Sequence, residues 1–268
     1  MAIPLKLYKY EPFSARTIEN LKNQVVYFGS PLAFNDPYDC ALFPSIAEPS
    51  DDDVERIRAH YLAKDGLDAG IRRSFETATV AGLRVMLMRT GQNVVEEQVQ
   101  NFLKTRGVSC FAERPDNLLM WSHYADHHRG FCLEFRTDLE PLNTKTRQVK
   151  YSSSMPQFTL TRMLCDGDYE EVLDLYCTKA KEWEYEREWR GLHKQAGTAY
   201  TYDSKALTGV YIGAKASFTA FEIVALILAG QNEDVKLWKG ERSRSEFAVD
   251  FQPVTYTSHL EAKRRGLL

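Results

Sequence analysis

Leu118–Phe135 reads LLMWSHYADHHRGFCLEF, and two periodicities meet inside it. From Asn117 to Ala125 the apolar residues recur at helical spacing, with Met120 and Tyr124 on one face and Trp121 and Ala125 on another. From Gly130 to Phe135 a short apolar run predicts a strand. Helix and strand signals mix irregularly along the rest of the chain as well, which assigns it to the α+β class rather than to regular βαβ winding.

Working outward, Leu5 to Tyr10 alternates as a strand, Ser14 or Thr17 can cap a helix over Thr17 to Asn23, and VVYFGSP (Val25 to Pro31) is a second strand. Phe34 to Cys40 (FNDPYDC) is a loop, punctuated by Asn, Asp and Pro. From Ser50 to Gly107 an acidic SDDD start is followed by apolar residues at helical spacing, which predicts a helical insertion at 50–107 within a single domain spanning 1–268. Strands are expected at Val108 to Ala112, Gln148 to Tyr151, Glu186 to Leu192 and Leu207 to Gly213, with a closing pair at Val235 to Trp238 and Phe247 to Val254. Helices are expected at Gly167 to Glu182 and Thr219 to Ala229.

The 268 residues are 44% hydrophobic and 26% charged, an ordinary globular balance. The formal charge of -3 gives no overall attraction to nucleic acid or to an anionic membrane. The longest apolar run, Ile223 to Gly230, falls far short of the ~20 residues that cross a bilayer, so no membrane partner is expected. The opening MAIPLKLYKYEP has no basic flank followed by an apolar stretch, which predicts a cytoplasmic chain. Five scattered cysteines without a CxxC pair read as reduced, buried thiols.

Three places concentrate chemistry. In Lys181 to Arg190 (KEWEYEREWR), a strand over the second half sets Glu186, Glu188 and Arg190 on one face and Arg187 and Trp189 on the other. Paired carboxylates of this kind bind sugar hydroxyls and stabilise a cationic transition state, while the Arg keeps one of them ionised; a solvated helix end is the other reading of the same residues. In Ser122, His123 and Tyr124 not all three side chains can face a core. His123 and His127 are one helical turn apart, but Tyr124 stands where a zincin needs its Glu, so no metal is expected. On the first strand Tyr8 and Tyr10 share one side and Lys9 takes the other; Asn35 and Asp36 bind a ligand or close their own loop.

LYKY, LAFNDPYDC, VSCFAE, LLMWSHYADHHRGFCLEF and EWEYEREWRG together resemble the bacterial family catalogued as domain of unknown function 2971, over Leu7 to Ile212. The order of elements is also similar to the ADP-ribosyltransferase fold, a mixed and mainly antiparallel sheet whose members cleave NAD between nicotinamide and ribose. That similarity implies NAD as substrate, Glu188 with Glu186 as the catalytic pair, and Tyr8, Lys9, Tyr10, Ser122, His123, Tyr124 and Arg190 as the groups that bind the nucleotide. Neither Tyr nor Lys on the first strand matches the Arg or His of that signature. The acceptor is left open, as are two other functions: a recognition module, or a nuclease-like toxin using His123, Glu188 and Arg190.

Overall fold

The computed structural model describes residues 2–40, 45–167, 170–232 and 234–267. The chain divides into two compact units, one from 1–30, 106–149 and 183–268, the other from 31–105 and 150–182.

The first unit carries the large sheet. Its strands are β1 (Lys6–Glu11), β2 (Gly107–Ala112), β3 (Phe131–Arg136), β4 (Thr146–Gln148), β5 (Glu188–His193), β6 (Leu207–Ile212), β7 (Lys236–Arg242) and β8 (Val249–Pro253). Their spatial order is β8-β7-β6-β3-β1-β2-β5-β4, so the first strand in sequence sits in the middle. All pairings are antiparallel except β6 with β7. That parallel pair needs a crossover, supplied by the Phe218–Ala229 helix with Ser217 as its N-cap. A mainly antiparallel α+β architecture is therefore what the sequence encodes.

Strand alternation sorts the side chains into two layers. On one face Leu7, Phe111, Phe135, Trp189 and Val210 join Leu21 of the Ala15–Lys22 helix and Phe221, Val224 and Leu228 of the crossover helix in one apolar cluster. On the other, Tyr10, Ala112, Cys132 and Tyr211 pack with Met120 and Trp121 of the Leu118–Tyr124 helix. The Ala15–Lys22 helix begins as expected from its capping residues: Ser14 accepts from the Thr17 N–H, and Thr17 answers to the Ser14 N–H. A short ladder between Val25–Phe28 and Thr198–Thr201 completes this unit; its second strand has no counterpart in the sequence reading.

The second unit contains the helices Asp51–Leu62, Ala69–Thr77 and Val80–Thr105 expected over 50–107, and it is larger than that insertion. Residues 150–182 belong to it through parallel pairing of Lys150–Ser152 with Thr178–Ala180 and of Ser45–Ile46 with Gln157–Phe158. The long helix expected over Gly167 to Glu182 is instead a helix at Glu170–Leu175, the Thr178–Ala180 strand, and a 3-10 helix, Lys181–Glu186; residues 168 and 169 lie outside the described residues. An interior ion pair, Lys179 to Asp39 at 3.4 Å, gives the FNDPYDC motif a structural part in this unit. All five cysteines are thiols; Cys40, Cys132 and Cys177 are buried and Cys110 and Cys165 partly so. Among the described residues no helix is long and apolar enough to cross a membrane.

Candidate functional site

The KEWEYEREWR stretch does not enter the sheet as a single regular strand. Lys181–Glu186 winds as a 3-10 helix, Arg187 turns through a left-handed φ of 45°, and only then does β5 begin at Glu188. That turn breaks the expected alternation and sends the two carboxylates to different partners. Glu188 and Arg190 share a sheet face as predicted, with Trp189 on the other. Arg190 Nε donates to Glu188 Oε1 at 2.8 Å and Nη2 to Oε2 at 2.9 Å, with side-chain exposures of 0% and 3%. Such a bidentate pair needs no water, and this one is interior. Glu188 therefore serves as counter-ion to Arg190, which corrects its expected place against a bound sugar and removes Arg190 from the nucleotide-binding set.

Glu186 is placed differently. Its carboxylate is buried, accepts from the Tyr124 hydroxyl at 2.7 Å, and lines a cavity of about 390 Å³ together with Arg114, Asn117, Tyr185 and Arg187. Asn117 builds this corner. As N-cap it accepts from the Leu119 and Met120 N–H groups, and its Nδ2 donates to the Tyr185 carbonyl at 2.9 Å. One side chain thus starts the helix that carries Tyr124 and ties it to the segment that carries Glu186. Sequence reasoning named the helix but not Asn117 as a site residue, although an Asn ahead of an apolar helical run is the usual capping signal.

The remaining expected residues are spread out. His123 is exposed, with its ring edge against Trp183 and Tyr124 at 6.1 and 6.2 Å. Ser122 Oγ lies 3.3 Å from His128 Nε2. The Tyr10 hydroxyl donates to the Arg114 carbonyl at 2.8 Å, a structural task. Lys9 lies on the opposite face of β1, over the Phe111 ring and 3.4 Å from Glu11, so it does not join Tyr8 and Tyr10. Asn35 and Asp36 belong to the second unit, where Asp36 accepts from the Tyr38 N–H at 2.9 Å as a loop-closing residue.

Tyr8 belongs to a second polar centre that the sequence did not announce. Glu134, set directly opposite it on β3, accepts from Lys6 Nζ at 2.7 Å, Tyr8 at 3.1 Å, Thr208 at 2.7 Å and Tyr211 at 2.9 Å. A register shift between Leu207 and Gly209 accompanies the Thr208 contact, the usual use of a bulge to re-aim a side chain. Burial pushes the Glu134 pKa upward, but the hydrogen bonds from Lys6, Thr208 and Tyr211 and the Lys6 charge outweigh it, so the carboxyl titrates below its usual value. Burial and the Glu134 charge drive both tyrosine hydroxyls well above theirs. The only sequence signal was an acid in an otherwise apolar strand, GFCLEF.

The corner built by Tyr124 and Glu186 is also where the chain matches a known family. Residues 120–191 match the model described as protein of unknown function (DUF2971). The DUF2971 stretch includes the MWSHYADHHRGFCLEF and EWEYEREWRG motifs and so both partners of the Tyr124–Glu186 hydrogen bond; LYKY, FNDPYDC and VSCFAE lie outside it. No curated protein and no solved structure matches the chain.

Proposed function

We propose that this chain cleaves NAD between nicotinamide and ribose, as an ADP-ribosyltransferase or NAD glycohydrolase, with Glu186 as the working carboxylate. An ADP-ribosyltransferase-type fold is part of the same proposal. The observation that supports it is Glu186 itself: a buried acid on a cavity wall, oriented by a tyrosine hydroxyl, with the half-buried ring of Tyr185 beside it. Breaking the glycosidic bond sends its electron pair to the departing neutral nicotinamide and leaves positive charge on the ribose carbon. A carboxylate that grips the ribose hydroxyls stabilises that charge without reorganising. The Tyr185 ring offers a flat surface for a nicotinamide, and exposed Arg187 offers charge for a phosphate. Water or a macromolecular nucleophile then bonds to the ribose carbon and loses a proton.

The test incubates the protein with nicotinamide-labelled NAD. Wild type is expected to release nicotinamide, and Glu186→Gln to do so slower by about a hundredfold or more. No release by wild type, or release untouched by Glu186→Gln, overturns the reading.

A further inference from the structure

The residues that follow the Leu118–Tyr124 helix are held in a conformation that side chains resist. Asp126, His127 and His128 have φ values of 47°, 54° and 69°, three successive left-handed residues without a glycine among them. The surroundings over-determine this. The His128 N–H donates to the Trp121 carbonyl at 3.1 Å, its carbonyl accepts from the Lys215 N–H at 2.9 Å, and the Gly130 N–H closes the turn onto Ala125 at 2.8 Å. Arg129 grips Asp126 through both carboxylate oxygens, at 3.0 and 2.8 Å. Gly213 passes so close that a Cβ there would lie 2.2 Å from the His128 oxygen. The imidazole is fixed as well, stacked on Trp121 at 6.2 Å and 15°.

The fixed imidazole lines a cavity of about 320 Å³, with Lys215, the end of β7 at Arg242, and Ser243, Glu246 and Phe247 of the loop that follows. Among the described residues, Lys215 and Arg242 form no ion pair and Glu246 is the one carboxylate in the wall. Two uncommitted cations and a polar ring facing a space of this size suit a doubly charged oxyanion. Leu118 and Phe247 also line the cavity that holds Glu186, so the two cavities adjoin. Phe247 is fully exposed where they meet, and its ring is available to a base or sugar face.

We propose that the His128–Lys215–Arg242 cavity binds the phosphates of the nucleotide whose glycosidic bond meets Glu186. This assignment of the charged end of the substrate rests on the NAD reading, yet it can be tested apart from it. Pyrophosphate, ADP-ribose and uncharged adenosine are titrated calorimetrically into wild type, Lys215→Ala/Arg242→Ala and Glu186→Gln. Both substituted cations are exposed, so the double variant is expected to fold normally, which circular dichroism checks. Pyrophosphate and ADP-ribose should bind wild type and weaken by about tenfold or more in the double variant, as the loss of charge-assisted contacts requires, while Glu186→Gln retains pyrophosphate. Wild type that ignores pyrophosphate, or a double variant that binds it equally well, overturns the proposal. If wild type binds pyrophosphate through these residues but releases no nicotinamide, the phosphate cavity stands and the glycosidic chemistry falls. Nicotinamide release with an unchanged KM for NAD in the double variant removes the cavity and leaves the chemistry.

Discussion

A guanidinium with no exposed surface is the most demanding residue in this chain, because Arg190 cannot shed its charge. Taking the charge from one member of a buried, bidentate pair weakens it where water cannot substitute. Glu188→Gln is therefore expected to lower Tm markedly in a thermal melt, whereas Glu186→Gln keeps an acceptor for Tyr124 and should lower Tm less. A reversed outcome would exchange the roles of the two acids. Alternation along β5 made the Glu188–Arg190 face legible from sequence. The left-handed turn at Arg187 was not, since a lone non-glycine residue at positive φ leaves no compositional trace. Glu134 stayed hidden for a related reason: its four donors come from β1 and β6, and no local pattern announces them. Because its folded pKa is lowered, its contribution to stability is complete above the unfolded glutamate value and is lost as pH falls through the folded one. Acid unfolding followed by tryptophan fluorescence should therefore be less steep in Glu134→Gln than in wild type; identical acid limbs would deny Glu134 this part.

At the scale of elements, the helix bearing Tyr124 depends on one cap. Asn117→Ala deletes the acceptor for two N–H groups and the link to the Tyr185 carbonyl, at a cost of about 1–2 kcal/mol. On the proposed NAD reading, nicotinamide release by Asn117→Ala should fall well beyond what that loss of stability explains, because Tyr124 and Glu186 are tied together through this residue; release equal to wild type would show that they are aligned without it. Many elements could be read in advance, since strand alternation, the caps at Ser14 and at the SDDD start, and helical spacing all act locally, whereas the Ser217 cap was not read. Gly167 to Glu182 could not. Its apolar spacing suits a helix, but pairing of Thr178–Ala180 with Lys150–Ser152 and the stacking of Tyr176 on Phe102 decide the outcome from a distance.

On the scale of the whole molecule, the helical insertion was legible as helices but not as half of a larger unit. Gly91 packs against Ile46 and Leu160, and Phe102 against Tyr176, so residues 31–105 and 150–182 share one interior. Deleting 50–106 is expected to uncover Phe158, Leu160 and Tyr176 and to yield aggregated protein on size-exclusion chromatography; a monodisperse product would show that 150–182 does not need those helices. Contacts between segments so far apart in sequence leave no periodic signature, which is why composition alone drew the boundary at 50. The central position of β1 matters during synthesis. Its neighbours β2 and β3 are translated only after another hundred or so residues, which at 5–20 residues per second is about 5–25 s. Through that interval a strand bearing Leu7, Tyr8 and Tyr10 waits with both edges open to wrong pairings.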